Sequence, residues 1–355
     1  MQTDQSPKSS SPGSADEPVI RCEGLTKIFK DFWLRPRVTA VDDLHLEVHR
    51  RQVFGLLGPN GSGKSTSIKM MLGLLFPTSG SVRVLGEKPS DVATKSRVGY
   101  LPEESYLYPF LTGRETLDFF GRLFSLDRET RRQRVDTLLR LVGLEGARNR
   151  RVGEYSKGMQ RRLGLAQALI NNPDLLILDE PTTGLDPLGT RQIKDLILGL
   201  KERGKTVLLS SHLLGDVEDV CDRVSILYGG RVQAEGEIGE LLADSEHQEL
   251  ETDRLRPETV EKIRELIHKE EGKELRAVRS PRQRLETFFL KIVEEAQARG
   301  ARTSGASAGG RVDDFLEREY HLPRDVDPVR LLAELSGEPA ASSRGDEEEE
   351  TDDGG

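Results

Sequence analysis

A chain of 355 residues has room for one large or two ordinary domains. Its charged residues (32%) and few aromatics (5%) suit a soluble protein, and its longest apolar runs, such as residues 70–76, are far too short to span a bilayer. The net charge of −9 weighs against nucleic-acid binding, although seven of the negatives crowd into a solvating tail at Asp346, Glu347, Glu348, Glu349, Glu350, Asp352 and Asp353.

Residues 1–18 are polar, rich in Ser and Pro, and lack a basic-then-apolar signal peptide; they hold too little apolar content to fold. A strand is expected to start at 19–23 and run on through 25–29, and a second at 39–48, where Val41, Leu44, Leu46 and Val48 recur. Between them, residues 30–38 read as a hairpin loop carrying Phe32, Trp33, Arg35 and Arg37. An aromatic side chain there could equally stack on a base, because the hairpin leads towards the next motif. Cys22 and Cys221 have neither disulfide-framework nor metal-site spacing and read as reduced thiols of a cytosolic protein.

The chain is organised around Gly58, Pro59, Asn60, Gly61, Ser62, Gly63, Lys64, Ser65 and Thr66, which fit glycine, any four residues, glycine, lysine, then serine or threonine. Glycines at 58, 61 and 63 let successive backbone N–H groups curl around a phosphate. Lys64 supplies a point charge for β- and γ-phosphates, and the Ser65 hydroxyl can ligate Mg²⁺. Context supports that reading over an accidental glycine-rich turn: residues 52–57 read as a buried strand and 65–75 as an apolar-faced helix.

Further along, 78–80 reads as a turn, 81–85 and 98–101 as strands, and 112–150 as a mostly helical block inserted into a nucleotide-binding core. Residues 160–170 form a helix, and 174–178 a fully apolar strand closing on Asp179 and Glu180. At the C-terminal edge of a sheet, Asp179 can hold Mg²⁺ through water and Glu180 can polarise an attacking water, whereas the bland alternative is a helix-capping pair. A helix follows at 188–203, a strand at 206–210 ending near His212, and a hairpin of 224–228 with 231–235. Beyond 240, strands at 249–252 and 274–279 and helices at 257–269 and 282–298 suggest a small α/β appendix. A Gly/Ser/Ala linker (300–310), weak helices near 312–319 and 329–335, and the acidic tail complete the chain.

Gly58 to Ser65, Tyr155-Ser-Lys-Gly-Met-Gln160, Leu175-Leu-Ile-Leu-Asp-Glu180, Gly184-Leu-Asp-Pro187 and Ser211-His212 stand in the order of an ATP-binding-cassette (ABC) ATPase. Over residues 19–240 the chain resembles that family, and most of all the ATP-binding subunits of ABC-2-type exporters. The resemblance implies an α/β fold: a P-loop core of mostly parallel sheet flanked by helices, an antiparallel β subdomain, and an inserted helical subdomain at about 103–160. The appendix would follow at 241–299, linker and weak helices at 300–343, and the acidic tail at 344–355.

It also implies roles for particular residues. Phe29 matches the adenine-stacking position, with Phe32 and Trp33 as rivals; Asp179 looks like the metal-supporting acid and Glu180 the general base. His212 would contact the γ-phosphate, Asp186 would cross an interface between two cassettes, and Ser156 and Gly158 would bind the γ-phosphate held by the opposite cassette. Such a Ser-x-Gly turn at a helix N-terminus is a sound anion site. One chain carries one of each motif, so a homodimer is implied, with ATP and Mg²⁺ at two composite sites and a separate integral-membrane permease as partner. The expected location is the cytoplasmic face of the cell membrane. The competing class is a soluble ABC ATPase acting on nucleic acid or ribosomes, but neither a second cassette nor a dense basic patch is present.

Several positions depart from the family pattern. Residues 155–159 read Tyr-Ser-Lys-Gly-Met rather than Leu-Ser-Gly-Gly-Gln. Glu103 stands where a glutamine usually contacts the metal and water, and Arg51 where a turn glycine is usual. His45 and His49 read as surface residues, and Met70 and Met71 as helix core.

Overall fold

The computed structural model describes residues 17–31, 33, 35–243, 253 and 255–275. The expected strands at 249–252 and 274–279, the helix at 282–298 and everything beyond fall wholly or mostly outside them. In chain order the elements are β1 (Ile20–Lys30), β2 (Pro36–Val48), β3 (Val53–Leu57), α1 (Lys64–Met71), β4 (Ser79–Val84), α2 (Val92–Ser96) and β5 (Val98–Leu101). Then come α3 (Gly113–Leu123), α4 (Arg128–Leu141), α5 (Lys157–Ala168), β6 (Leu175–Asp179), α6 (Pro187–Glu202) and β7 (Thr206–Ser211). The series ends with α7 (Leu214–Val220), β8 (Arg223–Tyr228), β9 (Arg231–Glu237), α8 (Ile238–Leu241) and α9 (Pro257–Glu271).

The first sheet is antiparallel, ordered β2-β1-β4. The strand expected to start at 19–23 and run on through 25–29 is β1, and Gly24 (φ 58) and Gly80 (φ 80) accommodate an irregularity within it. A Cβ on Gly80 would lie 2.2 Å from the Gly24 carbonyl oxygen, so the backbones approach too closely for any side chain. That contact also draws Ser79 and Gly80 into β4 instead of the expected turn. The odd three-residue step from Val41 to Leu44 has a similar origin: Asp43 adopts φ 54, after which Leu44, Leu46 and Val48 alternate inward. His45 is exposed; Met70 and Met71 are buried.

The second sheet runs β5-β6-β7-β3-β8-β9, parallel except for β9, which pairs antiparallel with β8 through the Gly229-Gly230 turn. Every residue of β3, β6 and β7 is buried, as continuous apolar runs in a parallel sheet require. α1 belongs to the core shared by the two sheets: Ile68, Met70 and Met71 pack with Ile20, Leu25 and Val41 on one side and Phe54, Leu56 and Leu208 on the other. Each such buried side chain contributes on the order of 1.5–3 kcal/mol, so the loop before α1 rests on rigid support. α1 stops at Met71 rather than 75; the Leu74 N–H donates back to the Lys69 carbonyl around Gly73 (φ 65), and Leu74 and Phe76 are left exposed.

The helical block is less continuous than expected, with α3 and α4 separated by a turn at Ser125 (φ 56). Thr112 and Glu115 form a reciprocal capping box at the start of α3, and the Asp127 side chain accepts from the Thr130 N–H at the start of α4. Asp118 ties the two helices together by accepting from Arg131 Nε at 2.6 Å and Arg122 Nε at 2.8 Å. Three short helices, α2, α7 and α8, had no expectation in the sequence. Arg51, at the position where glycine is usual, takes φ 61, and its N–H donates to Thr206 Oγ1.

Candidate active site

Strand register decides which residues meet. Leu57 pairs with Ser211, Asp179 with Ser210, and Leu101 with Leu178. The glycine-rich loop, Glu180, His212 and Pro102 therefore leave the sheet at one edge, beyond the C-terminal ends of parallel strands, where α/β sheets bind ligands.

The loop itself is shaped by close packing. A Cβ on Gly63 (φ 107) would fall 2.4 Å from the Ala40 carbonyl oxygen, and one on Gly58 (φ 152) 2.3 Å from that of Leu227. Gly63 is also the N-cap of α1, which has no side-chain cap, so the first-turn N–H groups keep their capacity for an anion. Ser62 Oγ is buried without a hydrogen-bond partner. Lys64 is buried, and its ammonium donates to the Gly58 carbonyl at 2.6 Å and the Pro59 carbonyl at 3.3 Å, with Glu180 Oε1 3.8 Å away. An orphaned hydroxyl, an uncapped helix start and a buried ammonium together fit a polyphosphate.

Asp179 and Glu180 are both buried. Asp179 Oδ1 accepts from Ser210 Oγ and lies 3.5 Å from Ser65 Oγ. This hard-oxygen pair suits Mg²⁺ sharing its remaining ligands with phosphate and water. Among the described residues no group of three or more His, Cys, Asp or Glu forms an all-protein metal cage, and Mg²⁺ rarely uses one.

Glu180 adopts φ 53. Its N–H donates to the Ser210 carbonyl, and its Oε2 accepts from Thr183 Oγ1 at 3.2 Å and lies 2.8 Å from His212 Nδ1. When that carboxylate is ionised it can only accept, and Nδ1 is then the donor, with the Nε2 edge turned away from Glu180. The structure thus brings Lys64, Ser65, Asp179, Glu180 and His212 into one connected group.

Other expected residues stand elsewhere. Glu103 lies two residues past the end of β5 and is exposed. Ser156 is the N-cap of α5, its Oγ accepting from the Met159 N–H. Gly158 lies beside Leu185, whose Cδ2 is 3.5 Å from the position of a Cβ. Asp186 caps α6 by accepting from the Gly189 N–H and lies 4.0 Å from Arg162 Nη2. Ser156, Gly158 and Asp186 thus form a second group, on the side of α5, the signature helix, which opens on the Ser156-Lys-Gly158 turn. Phe29 pairs with Val38 and is half-exposed, with Lys27 Nζ 5.5 Å from its ring centre; Trp33 is more exposed, and Phe32 lies outside the described residues. Pro59, Asn60 and Gly61 are at or near the loop surface, and Thr66 is half-buried in α1.

Sequence reasoning missed Ser210, Thr183 and, above all, Arg161. Arg161 sits on the buried face of α5 one turn before Leu165, and a charge in that apolar stripe was the available signal. Burial presses its guanidinium pKa down while Asp179, Glu103 and Glu180 oppose that, and the group stays charged. Burial and then the Asp179 charge push the neighbouring Tyr100 hydroxyl up to about 12.

The ABC transporter family model matches residues 41–183. An uncharacterized ABC transporter ATP-binding protein of Synechocystis is 44% identical over 235 residues, covering 65% of this chain and 66% of that protein. Nod factor export ATP-binding protein I of Ralstonia nicotianae is 40% identical, covering 65% and 71%. Among solved structures, an ATP-binding subunit of an ABC transporter superposes with a TM-score of 0.57 at 31% identity, covering 63% of this chain and 91% of that one. A dimeric post-hydrolysis ATP-binding cassette bound to ADP and Pi gives a TM-score of 0.58 at 27% identity, covering 62% and 98%.

Proposed function

The chain belongs to the ATP-binding, ATP-hydrolysing subunits of ABC transporters, and from that premise we propose that two copies close on two ATP molecules to drive a separate membrane permease, in the direction of export. The observation that carries the reading is the convergence of Lys64, Ser65, Asp179, Glu180 and His212 at one sheet edge. In it, the loop N–H groups and Lys64 hold the β- and γ-phosphates. Glu180 takes the proton of the attacking water, and His212, hydrogen-bonded to Glu180, presents its other ring edge to the γ-phosphate. Ser65, Asp179 and Glu103 are the oxygen donors for Mg²⁺, which when bound neutralises phosphate charge. Phe29 stacks on the adenine. Ser156, Gly158 and Asp186, grouped apart from the phosphate loop, serve the nucleotide of the facing copy; the dimeric ADP-bound cassette supports that arrangement.

The Nod factor export relatives support the export direction. Permease docking is supported by an exposed aromatic patch beside the Glu103 loop: Tyr108 lies 5.7 Å from both Phe110 and Phe119, and Tyr106 is 82% exposed. No helix among the described residues is long and apolar enough to cross a membrane. We further propose that residues 19–240 form the cassette, with the helical insert at about 103–160, and that residues 241–299 are an appendix to it.

The test is a trapping pull-down. Glu180→Gln is expressed with native membranes, solubilised with ATP and Mg²⁺, and the co-purifying proteins are identified. A stoichiometric multi-span membrane protein is the expected result. Recovery of ribosomes or nucleic acid with no integral membrane partner would overturn the permease reading in favour of a soluble ABC ATPase.

A further inference from the structure

Arg161 carries five N–H donors, and each of them meets a backbone carbonyl. Nη1 donates to Pro102 and, at 2.8 Å, to Glu103; Nη2 donates to Asp179 and, at 2.7 Å, to Glu180; Nε donates to Pro181 at 3.4 Å. The acceptors lie just past the ends of β5 and β6, where the sheet ladder stops. Pro102 and Pro181 lack N–H groups, so neither can extend strand pairing there. A buried carbonyl without a donor is costly, and one planar fork satisfies those of Asp179, Glu180 and Pro181 together with the part-buried ones of Pro102 and Glu103.

The two segments are the ones that matter for turnover. One carries Glu103 beside the aromatic patch, and the other carries Glu180 in its left-handed backbone conformation. Arg161 is also five residues from Ser156 on the same helix, α5, whose rigidity joins all three points.

We propose that Arg161 is a positioning residue. It holds the Glu180 backbone so that the carboxylate faces His212 and Lys64, and it fixes the Glu103 segment in register with it, so that movement at either the signature helix or the Glu103 loop reaches the catalytic base. This rests on Glu180 being the general base.

Arg161→Lys keeps the cation but offers three donors from a flexible tip in place of five in a fixed plane. Full-chain Arg161→Lys, Glu180→Gln and the double variant are compared by thermal melting, by kcat and KM for ATP, and by single-turnover release of radiolabelled phosphate. Misplacement of the base lowers kcat by about 10²-fold, with KM changed by less than about twofold because the phosphate loop is untouched. In the Glu180→Gln background, Arg161→Lys causes no further loss, since its effect passes through that carboxylate.

A folded Arg161→Lys enzyme with unchanged kcat, or one whose loss recurs in full on Glu180→Gln, overturns the proposal. Glu180→Gln turning over at the wild-type rate refutes the general-base reading itself, and the proposal with it. Should Arg161→Lys fail to fold, amide exchange of the wild-type chain decides. Residues 103–105 and 182–183 gaining protection together on adding ATP supports the linkage, and independent responses overturn it.

Discussion

Glu180 combines a functional carboxylate with a backbone conformation that its own Cβ disfavours (φ 53). The conformation is enforced on both sides: its N–H donates to the Ser210 carbonyl, and its carbonyl accepts from Arg161 Nη2. The perturbation that isolates the backbone cost is the pair Glu180→Ala and Glu180→Gly. Both delete the carboxylate and with it the contacts to His212, Thr183 and Lys64, so those losses cancel in the comparison. The left-handed region costs a residue with a Cβ about 1–2 kcal/mol, and glycine's freer unfolded chain gives back about 0.4–1 kcal/mol. Glycine should therefore be the more stable of the two by roughly 0.5–1 kcal/mol, a melting difference of about 1–4 °C for a domain of this size. At an ordinary buried site alanine would be the better choice, so the sign alone is diagnostic. Thermal melts of the two variants in one buffer provide the assay. An alanine variant that melts at or above the glycine variant would refute the claim that the base is held in a strained conformation. Neither variant should hydrolyse ATP, because both lack the carboxylate that serves as general base.

Asp118 accepts from Arg131 and Arg122; burial alone would raise its pKa, but the two guanidinium hydrogen bonds outweigh it and hold the carboxyl below the usual range. A carboxyl whose folded pKa is lowered stabilises above the unfolded value and loses that contribution as pH falls through the folded one. Asp118→Asn should thus cost about 1 kcal/mol at neutral pH after allowance for solvent screening, and its melting gap from wild type should narrow as the solution is acidified. Gly99→Ala places a Cβ 2.1 Å from the Ala168 carbonyl oxygen, against rigid helix backbone, and should destabilise by about 1–3 kcal/mol in a thermal melt. Phe29→Ala should weaken binding of a fluorescent ATP analogue by roughly tenfold, on the scale of one base–aromatic stack, and by more than Trp33→Ala does; the reverse order would assign the adenine to Trp33.

What the sequence discloses follows from where the chemistry is local. The phosphate loop, the apolar strand before Asp179 and the His212 position are legible because contiguous residues must do the work together, and the structure brings them to one sheet edge. The second sheet is equally legible, since a parallel strand buried on both faces has to be written as an uninterrupted apolar run, as residues 175–178 and 207–209 are. Errors gather where distant backbones meet. Ser79 and Gly80 of the turn expected at 78–80 became strand because Gly80 lies against Gly24, and α1 stopped early at a left-handed Gly73, a helix-ending glycine masked by the apolar residues on either side of it. Ser156 capping α5 moved that helix's start to 157, ahead of the apolar periodicity that marked 160.

The site residue with the most contacts was hidden for a related reason. Arg161 binds no side chain at this edge; it binds carbonyls, which every residue has, so the identities of its partners leave no trace in their sequence. The trace lies in what they lack. Pro102 directly follows β5 and Pro181 comes two residues after β6, and two neighbouring parallel strands that each run into proline leave adjacent carbonyls beyond the reach of the ladder. Burial then demands a donor with several N–H groups arranged in a plane, and among side chains only arginine supplies five. An arginine on the apolar face of α5, the helix that precedes β6, is the complement of those two prolines. Replacing either proline by alanine restores an N–H at the same edge and should leave the arginine's carbonyl partners in place, whereas replacing the arginine removes the donors for five carbonyls together. The asymmetry places the control of this edge on α5, the helix that also presents Ser156.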